Sequence, residues 1–279
     1  MRTLYDSVAE RTSKMITKAY STSFSMAIML LDNDIQQHIY NIYGFVRLGD
    51  EIVDTFHDQN KAELLAQFKA ETFEAIARGF SLNPVLHTFQ STVRKFDIDT
   101  KLIEQFLYSM EMDLLPMDYD RDRYEQYIVG SAEVVGLMCL KVFVMGDESE
   151  YERLRYPAER LGSAFQKINF LRDLNADAIG LGRNYFPELV TERFDAETKV
   201  AIEADIAKDF KDAFVGIGEL PKRARFGVYL AYRYYFSLFM KIKDTPAPEV
   251  MQARIRVSDT KKYVIIAKSY IRNEMGWLK

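Results

Sequence analysis

The chain has 279 residues, with 37 Lys and Arg against 41 Asp and Glu, a net charge of −4. That balance offers no electrostatic footprint for nucleic acid, so no nucleic-acid partner is expected. The single cysteine, Cys139, excludes an internal disulfide or a thiolate metal site. No uninterrupted apolar run reaches the roughly 20 residues of a spanning helix and no signal peptide is visible, so a soluble or peripheral protein in the reducing cytoplasm is expected.

Helical periodicity runs almost throughout, and strand-like alternation is scarce. The first helix is predicted from Asp6 toward Tyr20, where Ser21-Thr22-Ser23 interrupts it. A second starts at the capping residues Asp32–Asp34 and continues to His57. Further helices are predicted near 61–79, 84–95, 99–115, 122–145 and 150–179, then near 195–216, 221–243 and 249–274. Most prolines fall at these boundaries, while Pro157 marks a kink or a helix start. A loop around 179–194 is rich in Gly, Arg, Asn and Tyr. The pattern predicts one all-α domain over 1–279, with long helices packed around a central cavity. Cys139, inside an apolar run, is expected to be a buried and inert residue. The aromatic segment 226–240 reads as a core helix before it reads as a lipid contact.

Two of these helices carry paired aspartates. On an ideal wheel of roughly 100° per residue, Ile35, Ile39, Ile42, Val46 and Val53 form one stripe, and Tyr43, Arg47, Asp50 and Asp54 form a second beside it. A solvated ion network would more naturally lie opposite the apolar stripe. In 161–177, Leu161, Phe165, Ile168, Phe170, Leu171 and Leu174 spread apolar side chains over much of the circumference. Gln166, Asn169, Asp173 and Asp177 nevertheless gather in one polar strip. Carboxylates with amide oxygens are hard donors suited to magnesium, and two such strips on separate helices are suited to clamp a metal-bound diphosphate. Ionisation of an allylic diphosphate needs that charge, together with a dry, aromatic-lined pocket for the cation. The 19 Phe and 17 Tyr are compatible with such a pocket and equally with an ordinary core.

Five segments, in order, carry a resemblance to a known family. They are Tyr20-Ser21-Thr22-Ser23-Phe24; Ile42-Tyr43-Gly44-Phe45-Val46-Arg47 leading into Asp50-Glu51-Ile52-Val53-Asp54; and Tyr127-Ile128-Val129-Gly130-Ser131-Ala132-Glu133-Val134-Val135-Gly136. The last two are Leu161-Gly162-Ser163-Ala164-Phe165-Gln166 leading into Asn169, Arg172, Asp173 and Asp177, and Gly182-Arg183-Asn184-Tyr185-Phe186-Pro187. Together they resemble the squalene/phytoene synthase family of head-to-head prenyl synthases, most of all its bacterial phytoene synthases.

The resemblance implies an isoprenoid synthase-type helical fold and the condensation of two geranylgeranyl diphosphates, through a cyclopropyl diphosphate, to phytoene in carotenoid biosynthesis. It implies that Asp50, Asp54, Asn169, Asp173 and Asp177 hold magnesium, with manganese as a substitute. It further implies that Arg47, Tyr127, Gln166, Asn169, Arg172 and Arg183 bind or position diphosphate, and that Ser21, Ser23, Phe24 and Tyr43 border substrate. Tyr235 and Arg254 match a late phosphate-binding pair. Tyr20 and Glu133 depart from the family pattern; a buried Glu133 needs a tyrosine or arginine partner and is a candidate to reshape the tunnel. The water-insoluble product implies peripheral contact with the inner face of the membrane for release, and nothing in the pattern specifies an oligomeric state.

Two alternatives stand beside this reading. A C30 enzyme would make dehydrosqualene or squalene from farnesyl diphosphate, with NADPH only in the squalene case. A non-catalytic scaffold relative would have degraded motifs, whereas Asp50, Asp54, Asp173, Asp177, Arg47 and Asn169 are all present. A di-iron bundle is disfavoured, since none of His38, His57 and His87 completes a Glu-x-x-His motif.

Overall fold

The computed structural model describes residues 2–115, 119–176, 183–191, 194–252 and 254–274. Among them lie α1 (Arg2–Tyr20), α2 (Thr22–Ile28), α3 (Asn33–Asp54), α4 (Lys61–Arg78), α5 (Pro84–Phe96), α6 (Thr100–Met112) and α7 (Arg121–Ile128). A π-helical turn, Val129–Glu133, joins α7 to α8 (Val134–Phe143). There follow α9 (Glu148–Ala176), α10 (Glu188–Thr191), α11 (Ala196–Glu219), α12 (Lys222–Lys243), α13 (Ala247–Val250) and α14 (Asp259–Glu274). The fold is all-α, as the periodicity predicts, with no strand among the described residues.

Three local features differ from the sequence expectation. The Ser21-Thr22-Ser23 interruption is a helix start: the Ser21 hydroxyl accepts from the Phe24 amide at 3.2 Å and opens α2. Pro157 lies inside α9 and does not begin it. The final predicted helix is two, α13 and α14.

The π turn shapes the centre of the molecule. Every fourth residue of an ideal helix drifts by about 40°, and the wider π turn removes part of that drift. Tyr127, Ser131, Val135, Cys139 and Phe143 consequently all reach one cavity wall. Two glycines let neighbours close onto the turn: a Cβ on Gly130 would lie 2.6 Å from the Gln105 carbonyl oxygen, and one on Gly162 would lie 2.5 Å from that of Ala132.

The run Arg121–Phe143 is long and apolar enough, by length and composition, to cross a membrane, and 61% of its most apolar window is buried inside the protein. It is the exception to the expectation that no segment reaches spanning length. Its apolar residues serve the core and the cavity wall. On the far side of α3, Phe45 stacks on Phe89 with ring centroids 3.8 Å apart, and Phe106 closes the cluster at 5.3 Å. In α12, Tyr229, Tyr232 and Phe239 are buried, so this segment is a core helix.

Candidate active site

The long helices enclose a cavity of about 430 Å³. Three of them contribute most of its wall: α3 from Ile39 to Asp50, the α7–α8 run from Tyr127 to Phe143, and α9 from Leu154 to Arg172. The lining along α7–α8 alone runs from Tyr127 to Phe143, 17 residues or about 24 Å of helix. One end of the cavity is polar and the rest is almost entirely apolar, because each helix carries its polar strip at one end only.

At the polar end the cavity wall includes Ser21, Phe24, Tyr43, Arg47, Asp50, Tyr127, Gln166, Asn169, Arg172, Tyr235 and Arg254. Eleven of the residues expected from the sequence are therefore brought together around one space. Ser23, Asp54, Asp173 and Arg183 are not among the lining residues. Asp177 and Gly182 lie outside the described residues.

Asp50 is the most perturbed carboxyl of this end. Burial, and then the neighbouring charge of Asp54, push it up to about 8, with Arg47 opposing. Its side chain is 31% accessible and lines the cavity wall. Arg47 Nη1 stands 3.9 Å from Asp50 Oδ2, and Arg47 also pairs with Glu51. The Arg47 guanidinium rests over the Tyr20 ring, 4.2 Å from its centroid. This gives the unusual Tyr20 a contact at the cavity mouth.

Asp173 faces two arginines. Arg172 donates to it at 3.1 Å, and Arg254 reaches it from another part of the chain, with Nε 2.7 Å from Oδ1 and Nη2 3.3 Å from Oδ2. Asp54 is held by Arg183, 2.8 Å from Nη1 to Oδ1. Between the two acidic helices, Asn169 keeps a buried Oδ1 with no hydrogen-bond partner, while its Nδ2 donates to Gln166 Oε1 at 3.4 Å.

These donors fit a divalent cation. A half-buried carboxyl beside a second carboxylate and a buried amide oxygen without a hydrogen-bond partner are hard ligands of the kind such a cation takes. Asp54 and Asp173 would have to share their carboxylates with the arginines that hold them. Among the described residues, no group of three or more acidic, His or Cys side chains is placed to hold a metal ion by itself.

Just inside the polar end is an aromatic collar. Phe165 and Tyr235 stack with centroids 3.9 Å apart, and Phe24 meets both edge-on at 6.3 Å. Tyr43 completes it, 5.6 Å from Phe24, with its phenol pushed up to about 12 mainly by burial. Deeper still, Cys139 lines the wall, and burial pushes its thiol up to about 12. The residue is half-buried in the cavity wall, not buried in the core as expected.

Asp113 has no place in the sequence expectations. It follows α6, is 3% exposed, and accepts from Tyr119, Tyr127 and Tyr185. Burial holds its carboxyl up at about 6, with Arg183 and Tyr127 opposing. The only local signal was an acid set in an apolar context, Met112-Asp113-Leu114-Leu115.

Glu133 finds an arginine partner, Arg160, and points away from the cavity. Arg160 also meets Asp209 at 3.2 Å, and Lys167 reaches Asp209 at 2.7 Å and Asp205 at 2.6 Å. This ionic cluster joins α9 to α11 on a different face of α9 from the polar strip. Lys167 and Asp209 are both deeply buried; removing either costs about 3–5 kcal/mol, because its partner is left uncompensated.

The sequence profile of the squalene/phytoene synthase family matches residues 17–261. The chain is 26% identical over 262 residues to the 15-cis-phytoene synthase of a Paracoccus species, covering 87% of this chain and 84% of that protein. It is 26% identical over 276 residues to the chloroplastic phytoene synthase 3 of Zea mays. That alignment covers 92% of this chain, which spans only 64% of the maize protein's length. Among solved structures, a dehydrosqualene synthase in complex with a ligand superposes with a TM-score of 0.81 at 19% identity, covering 97% of this chain and 98% of that one. This last likeness concerns the fold.

Proposed function

The chain belongs to the squalene/phytoene synthase family, and from that premise we propose that it condenses two geranylgeranyl diphosphates head to head to phytoene. The observation that carries the reading is that Asp50 and Asn169 line the polar end of a long, largely apolar cavity that also holds an aromatic collar. A diphosphate needs the first of these features and a prenyl tail needs the second.

In this reading the first diphosphate lies among Arg47, Arg172 and Arg254, with the amides of Gln166 and Asn169 beside it. Magnesium, or manganese in its place, would be held by Asp50, Asp54, Asn169 and Asp173, together with Asp177 on the sequence expectation, and would supply the charge that lets diphosphate leave. Cleavage of the C1–O bond leaves an allylic cation. The double bond of the second molecule attacks that carbon, and loss of a proton closes a cyclopropyl diphosphate. A second ionisation, rearrangement and proton loss give the central double bond. Phe24, Tyr43, Phe165 and Tyr235 offer ring faces to the cations and exclude water.

Peripheral contact with the inner face of the membrane belongs to the same proposal, because the product is insoluble in water. Tyr263, Val264, Tyr270 and Ile271 share one exposed face of α14, and Lys261 and Lys268 flank it. An apolar strip beside lysines suits an anionic lipid surface.

Incubating the purified chain with radiolabelled geranylgeranyl and farnesyl diphosphates, with and without NADPH, tests the reaction. A magnesium-dependent C40 hydrocarbon formed without NADPH is expected. A C30 product from farnesyl diphosphate, with no C40 product from the longer substrate, overturns the chain length; no hydrocarbon from either substrate overturns the reading itself.

A further inference from the structure

The Asp113 carboxylate is the meeting point of four donors. Tyr127 donates to Oδ2 at 2.5 Å, Tyr119 and Tyr185 each donate to Oδ1 at 3.1 Å, and Arg183 Nε lies 3.7 Å from Oδ1. Of these residues only Tyr127 also lines the cavity. A phenol has a single proton to donate. Tyr127 spends it on a carboxylate behind the cavity wall, so the hydroxyl is anchored away from the cavity interior. In a space that generates carbocations, a loose hydroxyl is a misplaced nucleophile and proton source.

We infer that Asp113 is a positioning residue for the reaction, anchoring Tyr127 by its hydroxyl so that the ring forms a fixed part of the wall near the polar end. The inference rests on the reading of the cavity given above. Arg183 supplies the opposite charge beside Asp113, and its own donors are spent on Asp54 and on the carbonyls of Val53 and Asp113. Tyr119 and Tyr185 both donate to Oδ1, and Tyr127 alone donates to Oδ2.

The test is a double-mutant cycle with purified enzyme and geranylgeranyl diphosphate. Asp113→Asn keeps the side-chain size but replaces an acceptor oxygen by a donor. It is expected to lower kcat by about 10- to 100-fold while KM stays within about threefold. Tyr127→Phe is expected to act in the same direction, and the double variant to be no slower than the slower single variant. Losses that multiply in the double variant overturn the inference, as does an Asp113→Asn enzyme that melts earlier with an unchanged kcat. If Asp113→Asn does not fold, the pair Tyr119→Phe and Tyr185→Phe decides instead. That enzyme keeps the Tyr127 bond and is expected to retain kcat within about threefold; a loss matching that of Tyr127→Phe overturns the inference. Failure of the underlying reading is separate, since the wild-type chain would then make no hydrocarbon at all.

Discussion

Arg183 donates from Nη1 to Asp54 Oδ1 at 2.8 Å across 129 residues of sequence, and does so with a side chain only 4% exposed. The chain at Arg183 is thereby tied to the end of the first acidic helix. Arg183→Met would leave Asp113 as a buried carboxylate with no cation and release Asp54. A loss of about 3–5 kcal/mol of folding stability is expected, read as the urea unfolding midpoint. Arg183→Lys restores the charge but lacks the planar fork, and should recover only part of the loss. A change below about 1 kcal/mol for the methionine variant would contradict a buried clasp.

Asp50→Asn and Asp173→Asn test the metal site. Each is expected to lower magnesium-dependent turnover by about 10²- to 10³-fold or more. The far-ultraviolet circular dichroism spectrum should be unchanged. For Asp50→Asn the melting temperature should hold or rise, because Asn keeps the shape and cannot ionise at a position where burial, and then Asp54, disfavour the carboxylate. Retained activity in either variant would overturn the assignment.

The depth of the tail site is testable at Cys139. It lies 12 residues beyond Tyr127 along the same wall, or about 18 Å of helix, and it packs in the apolar part of the cavity. Cys139→Phe fills that space. The kcat/KM for geranylgeranyl diphosphate relative to farnesyl diphosphate is expected to fall about tenfold or more. An unchanged ratio would show that the prenyl tail does not pass this point.

Acid sensitivity should come in part from His38. Burial and then the nearby Lys95 ammonium, with Asp34 opposing, lower this imidazole from 6.5 to about 4. The unfolded chain therefore binds a proton that the folded chain refuses between about pH 6.5 and 4. Stability present above pH 6.5 is lost as the pH falls through 4. His38→Asn, which cannot titrate, should flatten that slope in pH-dependent urea unfolding, and an identical slope would rule this group out as its source.

Membrane contact predicts co-sedimentation of the wild-type chain with phosphatidylglycerol vesicles and much weaker recovery with phosphatidylcholine vesicles. Replacing Tyr263 and Tyr270 together by Ser should reduce binding several-fold with solution activity unchanged. Equal binding by the double variant would remove α14 as the contact.

The two acidic helices and most of the polar lining were legible from sequence, because local periodicity fixes which side chains share a helical face. Asp50 with Arg47, and Gln166 with Asn169, are relations of that kind. The Asp113 cluster was not, since its partners stand 6, 14 and 72 residues away and obey no local spacing. The role of Arg183 was only half visible: its motif marked it, but whether its donors met phosphate or protein depended on tertiary burial. The π turn was read as plain helix because one widened turn leaves the apolar pattern on either side intact.

Because the α7–α8 run carries lining residues from the polar end into the apolar depth, it acts as a ruler graduated in turns of about 5.4 Å. That graduation is close to one extended isoprene repeat. A bulky side chain moved one turn along this wall would shorten or lengthen the accepted tail by about one five-carbon unit. On the proposed function, product length would change in discrete steps, by single substitutions, while the polar end of the cavity is left untouched.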